Sequence, residues 1–183
     1  MQPYCQIAPH HPVHRAYHDH EYGFPQKDEA VLFERLVLEI NQAGLSWLTI
    51  LNKRDHFRRA YAAFDVDRVA AMQMADIDRL MRNAGIVRQR RKITAAITNA
   101  RAIQSLRADC GGFYNWLCRH HPQSEQQWVK QFRTLFQMTG PLVTREFLMS
   151  IGFLPGAHDP ACPIYAKIVR CKPMWLKKQQ AIS

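Results

Sequence analysis

Apolar residues recur along this chain at helical spacing and almost nowhere at the alternating spacing of strands. Over AVLFERLVLEI (30–40), Leu32, Phe33, Leu36, Val37 and Ile40 fall on one wide stripe of period 3.6. Gly44 permits a turn, and Ser46 is then placed to cap WLTILNKRDHFRRAY (47–61). Asp65 can cap a short helix carrying Val66, Val69 and Ala70. Ile77, Leu80, Met81 and Ala84 form a further stripe, which Gly85 is expected to end in a left-handed position. A longer helix is predicted from about Arg88 to Leu106. It turns Ile93, Ile97, Ala100 and Ile103 inward and leaves Arg90, Arg91, Arg101 and Arg107 to solvent or a ligand. Phe113, Trp116 and Leu117 mark another helix, and Trp128, Val129, Phe132 and Leu135 or Phe136 mark one over 125–136. The segment FQMTGPLVTREFLMSIG (136–152) reads as a helix end, a tight turn at Gly140 and Pro141, and a second helix with Val143, Phe147, Leu148 and Ile151 inward. The prediction is an all-α chain of about six to nine helices.

Proline placement sets the organisation. Pro3, Pro9, Pro12 and Pro25 interrupt the start, none lies between Gln26 and His121, and six follow from Pro122 to Pro173. The chain is expected to be one unit over 1–183, with a helical core at 26–121 and irregular terminal segments at 1–25 and 122–183.

Composition narrows the function more than the fold. Apolar residues make up 47% and charged residues 22%, which excludes a disordered tail, a collagen-like repeat or a disulfide-dense miniprotein. No apolar run approaches the roughly 18 residues that span a bilayer, so no membrane association is expected. The start, MQPYCQIAPHHPVHR, lacks the basic and apolar regions of a secretion signal, and a cytoplasmic location is expected. Five scattered cysteines fit free thiols or a metal site better than a disulfide framework. Twenty-five Lys and Arg against 15 Asp and Glu give a formal charge of +10, which favours a polyanionic partner such as nucleic acid over a neutral metabolite.

Three places can carry chemistry. The turn at Thr139–Gly140 leaves unpaired N–H groups at the start of the next helix, suited to a phosphate, although most such turns bind nothing. His158 and Cys162 have the H-x3-C spacing of a metal half-site, and Cys5 and His18 can complete a tetrahedral zinc site that joins the two chain ends. Buried thiols and surface histidines are the other reading. Glu39 lies on or near the apolar face of its helix, where a carboxylate must be hydrogen-bonded, paired or raised in pKa. It reads equally as a pocket acid and as an acceptor for backbone N–H groups of the next turn. Tyr17, Tyr22 and Trp47 flank it in sequence. Rings beside a carboxylate can stack on a planar cationic heterocycle, but each is more often simple core.

These residues carry a family resemblance. The stretches AYHDHEYGFP (16–25), LFERLVLEINQAGLSWLTILNKRDHFRRAYAAFD (32–65), AGIVRQRRKITAAITNARA (84–102) and GFLPGAHDPAC (152–162) resemble the DNA-3-methyladenine glycosylase I family over nearly the whole chain. The resemblance implies a helix-hairpin-helix glycosylase fold with a zinc site tying the N- and C-terminal segments. It implies monofunctional hydrolysis of the N-glycosidic bond of N3-methyladenine in alkylated double-stranded DNA, by a monomer. It assigns the structural Zn2+ to Cys5, His18, His158 and Cys162, lesion recognition to Glu39, stacking to Trp47, a pocket tyrosine to Tyr17, and DNA-backbone contact to Thr139, Gly140 and the following helix. Arg90 and Arg91 are further candidate DNA contacts on charge alone. Asp159 invites comparison with the catalytic aspartate of other helix-hairpin-helix glycosylases, but it sits between a ligand and Pro160, and this family lacks that group.

Departures accompany the matches. Ile7, His14 and Tyr22 stand where relatives usually line the pocket with Trp, Tyr and Trp, so base selectivity is expected to differ. The connection before Glu125 lacks a Ser/Thr-rich segment common in relatives. The alternatives are a binder of alkylated DNA without catalysis and a glycosylase of altered base selectivity.

Overall fold

Eleven α-helices follow one another through residues 4–177, the part of the chain that the computed structural model describes. They are Tyr4–Ile7 (α1), Pro12–His20 (α2), Glu29–Gln42 (α3), Trp47–Ala60 (α4), Val66–Ala70 (α5), Met74–Arg82 (α6), Arg90–Cys110 (α7), Phe113–His120 (α8), Glu125–Leu135 (α9), Pro141–Ser150 (α10) and Pro163–Arg170 (α11). No strand occurs among the described residues. The number exceeds the sequence expectation because α1, α2 and α11 lie in the proline-bearing ends. Pro12 and Pro163 occupy the first turns of their helices, where a missing N–H costs nothing, so they start helices rather than break them.

The helix expected over 30–40 is the centre of the molecule. Every residue of α3 from Leu32 to Asn41 is buried, so the apolar stripe widens to a helix enclosed on all sides by α4, α5, α7, α8 and α10. Asp28 caps its start by accepting the Val31 N–H at 3.0 Å. One apolar core runs from Leu32 to Phe153 and joins the 26–121 segment to α9 and α10 through Phe113, Trp128, Phe132, Phe136 and Phe147. The Phe113 and Phe147 rings stack with centroids 5.7 Å apart.

Burying α3 buries its charges. Glu34 accepts from Arg54 Nε at 2.7 Å and Arg58 Nε at 2.8 Å. Arg35 donates to the Ser150 carbonyl at 3.1 Å and to Glu21 Oε2 at 3.1 Å, and Arg54 forks onto both Glu21 oxygens at 2.7 Å. This network ties the end of α2, α3, α4 and the end of α10 into one unit.

Three local expectations change. Gly85 is not in the left-handed region, and α6 already ends at Arg82; a Cβ at Gly85 would stand 2.6 Å from the His56 ring, so the glycine serves close packing. α7 runs on to Cys110, where Gly111 at φ +81° takes the left-handed stop. Arg101 and Arg107 are not free for a ligand either. Arg101 donates to the Ala70 and Met72 carbonyls, and Arg107 bridges Glu29 and Asp67.

Lys92, buried on α7, donates to the Asn41 and Ala43 carbonyls at 2.9 and 2.8 Å and so closes the C-terminus of α3. Lys92→Met is expected to lower the unfolding free energy by about 1–3 kcal/mol, read as a lower urea midpoint at unchanged slope.

Candidate active site and metal centre

Five stretches of the chain, the last of them the loop at 156–159, line one cavity of about 680 Å³. α3 supplies Glu39 from its last turns. The turn at Gly44, held left-handed at φ +86°, and the Ser46 cap on the Thr49 N–H then set Trp47 at the first position of α4. α1 and α2 contribute Tyr4 and Tyr17, Tyr22 follows α2, and α10 presents Leu142, Glu146 and Met149 at i, i+4 and i+7. Tyr17 lies 5.1 Å from Trp47 and 5.6 Å from Tyr22, centroid to centroid, and Tyr4 lies 5.7 Å from Tyr22.

Glu39 is only 6% exposed, and no hydrogen-bond donor among the described residues engages its carboxylate. Burial, reinforced by the Glu146 charge and opposed by Arg35, pushes its pKa up to about 8. Its side chain lines the cavity, and no backbone N–H of the next turn donates to it among the described residues. Arg35 reaches toward Tyr17 Oη at 3.4 Å, while burial holds the Tyr17 phenol above its ordinary pKa and protonated. Tyr22 Oη donates to Glu146 Oε2 at 3.1 Å.

Ile7 and His14 do not line this cavity. Ile7 is 42% exposed, and His14 stands behind Tyr4, its Nδ1 3.2 Å from the Tyr4 hydroxyl. Tyr4 supplies ring surface in their place, and sequence reasoning missed it. Glu146, Leu142 and Met149 were missed as well, because the stripe read as inward on this helix was Val143, Phe147, Leu148 and Ile151, and the face beside it carries no pattern of its own. Asp159 lies at the rim, exposed, with Oδ1 accepting the Ala161 N–H at 2.8 Å, so it closes its own loop.

Adjoining this cavity, the ligand atoms of Cys5, His18, His158 and Cys162 all lie within 4.8 Å of one another, a cluster that could hold a metal ion. Cys5 Sγ is 3.6 Å from His158 Nδ1, and Cys162 Sγ is 3.5 Å from His158 Nδ1 and 3.7 Å from His18 Nε2. Metal bonds of about 2.3 Å to sulfur and 2.1 Å to nitrogen in a tetrahedron require edges of about 3.6 Å, so the residues fit. The far nitrogens are also fixed: His18 Nδ1 meets Asp19 Oδ1 at 2.7 Å and His158 Nε2 meets the Tyr22 carbonyl at 2.9 Å.

A second concavity, of about 710 Å³, gathers Arg90, Arg91 and Arg133 with Thr139 and Gly140. The turn between α9 and α10 thus shares one basic groove with the start of α7. Thr139 Oγ1 donates to the Phe136 carbonyl at 3.0 Å and fixes the turn, and Pro141 opens α10 with its first-turn N–H groups facing outward from the helix end.

Such an arrangement can hold a flat cationic heterocycle between rings and a carboxylate while a basic turn meets phosphate, which defines a helical nucleic-acid base-binding protein. A methyladenine glycosylase family model matches residues 7–146, and the chain belongs to that family. It is 43% identical to DNA-3-methyladenine glycosylase 1 of Escherichia coli K12 over 125 residues, 67% of each chain. It is 40% identical to DNA-3-methyladenine glycosylase of Haemophilus influenzae over 111 residues, 61% of this chain and 60% of that one. The solved structure of 3-methyladenine DNA glycosylase I from Staphylococcus aureus superposes with a TM-score of 0.80 at 32% identity, covering 87% of this chain and 95% of that one. A variant of 3-methyladenine DNA glycosylase I in complex with 3-methyladenine superposes at 0.82 and 31% identity, over 89% and 97%.

A carboxyl whose folded pKa lies above its ordinary value stabilises the protein while protonated and loses that contribution as pH rises toward the folded value. Glu39→Gln is expected to raise the unfolding free energy by roughly 2–4 kcal/mol at pH 8. The gain should shrink toward zero as pH falls to the ordinary carboxylate range, as measured by denaturant melts across that window.

Proposed function

We propose that this protein is a monofunctional DNA glycosylase that hydrolyses the N-glycosidic bond of N3-methyladenine in alkylated double-stranded DNA, opening base excision repair. The observation that carries the reading is Glu39, a buried carboxylate without a donor that faces a cavity walled by Tyr4, Tyr17, Tyr22 and Trp47. A cationic adenine supplies what is missing. Its N6 amino group donates to Glu39, its charge offsets the carboxylate, and its faces stack on the rings.

N3-alkylation already makes the base a good leaving group, so little acid catalysis is needed. The bonding pair moves onto the base and cancels its charge. Water then adds to C1′ of the oxocarbenium-like sugar, loses a proton and leaves an abasic site. No lysine among the described residues lines the cavity, which accords with water rather than an amine as the nucleophile. Catalytic roles go to Glu39, Tyr17 and Trp47, with Tyr22 completing the wall. Thr139, Gly140, Arg90 and Arg91 hold the DNA backbone, with α9 and α10 as the helix-hairpin-helix element.

Cys5, His18, His158 and Cys162 hold one structural zinc that clamps the terminal segments onto a core unit. Four protein ligands leave no position for a reacting water. The protein acts as a monomer, and its five cysteines, none of them in a disulfide, suit a reducing cytoplasm.

Glu39→Gln is expected to cut single-turnover release of N3-methyladenine about 100-fold while DNA affinity is kept. Release at the wild-type rate would sink the assignment. Purified protein is expected to contain about one zinc per chain, and chelation should lower the melting temperature by at least about 5 °C; metal-free protein of unchanged stability would contradict the clamp.

A further inference from the structure

Met138 stands in the turn between α9 and α10 with φ at +60°, in the left-handed region that side chains other than glycine and asparagine rarely adopt. Its neighbours hold it there. The Gln137 N–H donates to Asn99 Oδ1 at 2.7 Å, Asn99 Nδ2 donates back to the Gln137 carbonyl at 3.2 Å, and Thr139 Oγ1 donates to the Phe136 carbonyl at 3.0 Å. Asn99 and Thr139 are both buried, so the turn is rigid and its strain is fixed in place. A glycine would relieve that strain. The chain instead carries a long apolar side chain there, 37% exposed, in the basic groove with Arg90, Arg91 and Arg133. A second exposed methionine borders the same arginines: Met74 Sδ lies 3.7 Å from Arg90 Nη1.

A DNA strand presents more than charge to such a groove. Between successive phosphates lies a deoxyribose, whose C–H edge offers nothing to a guanidinium. A thioether side chain is flexible and polarizable, and it fits irregular apolar surfaces of that kind.

We propose that Met138 is an uncharged DNA contact, held in a strained turn so that it packs on the deoxyribose beside the phosphate held at the start of α10. The inference rests on the glycosylase reading above and adds an apolar contact to its phosphate contacts. A sugar carries no base identity, so the contact serves damaged and undamaged DNA alike.

The test is binding of an undamaged and a methylated duplex at several salt concentrations, with melting temperatures, for wild type, Met138→Ala, Met138→Gly, Met138→Leu and Arg91→Ala. Met138→Ala and Met138→Gly should each weaken both duplexes about fivefold at every salt concentration. The slope of log affinity against log salt should stay as in wild type, because no charge is removed. Arg91→Ala should instead lower that slope by about 1, the mark of a lost phosphate contact. Met138→Leu should bind like wild type. Met138→Gly should melt about 2–4 °C above Met138→Ala, since only glycine relaxes the turn. Should Met138→Ala fail to fold, the affinity of Met138→Gly decides. Wild-type affinity in the folded Ala and Gly variants overturns the inference. A loss confined to low salt overturns it too, because the contact is then electrostatic, as does a Met138→Gly that melts below Met138→Ala, because the turn then stores no strain. Wild-type protein that binds neither duplex overturns the glycosylase reading itself.

Discussion

A helix enclosed on all sides cannot leave its charged side chains to solvent, and α3 carries three of them inside: Glu34, Arg35 and Glu39. Burying a charge without a partner costs several kcal/mol, so the surroundings must either answer it or suffer it. Glu34 and Arg35 are answered by Arg54, Arg58, Glu21 and the Ser150 carbonyl. Glu39, one turn beyond Arg35, is not, and burial holds it protonated up to about pH 8 instead. The network around the first two fixes α2, α4 and α10 rigidly about the third, and the cavity survives because its walls are held by bonds made elsewhere.

The wall formed by α1 and α2 has little core of its own. Cys162, Ile164 and Ile168 form a small separate cluster with Cys5, Phe24 and Trp175, far too slight to hold Tyr4 against the cavity. Close backbone approach supplies part of the attachment. The Gly23 N–H bonds the Ser150 carbonyl at 2.9 Å, and a Cβ there would stand 2.8 Å from Ala157. The cysteine and histidine cluster supplies the rest in the zinc reading, since Cys5 adjoins Tyr4 and His18 adjoins Tyr17 in sequence while the other two residues come from the far end. A clamp there acts on the pocket through those tyrosines.

The sequence was most legible where one physical demand repeated itself. The helices from 30 to 150 follow from apolar periodicity, Ser46 and Asp65 cap as their positions allow, and the H-x3-C spacing points to residues that do converge. Glu39 stood out because a carboxylate within an apolar face is an anomaly. Glu146 did not, because it shares a stripe with Leu142 and Met149 whose partner lies more than a hundred residues away, at Tyr22. The loss of rings at Ile7 and His14 was legible, but its compensation by Tyr4 was not. Which side chain fills a gap depends on how a four-residue helix docks, and no local pattern encodes that.

Helix α10 connects the two concavities. Its N-terminus at Gly140 and Pro141 belongs to the basic groove, and its stripe from Leu142 to Met149 belongs to the base cavity. Successive residues rise about 1.5 Å along a helix, so Glu146 stands only about 8 Å beyond the start of the helix. In the glycosylase reading, a backbone phosphate gripped at that end and a nucleotide swung out of the duplex are measured against one rigid element. Grip and reach are then coupled without any moving part: a base enters the cavity only if its phosphate sits where the turn holds it. Leu142, 63% exposed at the junction, occupies the step between the two. The Arg35 bond to the Ser150 carbonyl anchors the opposite end of α10 to α3, so the helix shared by the two concavities is fixed to the helix that carries Glu39.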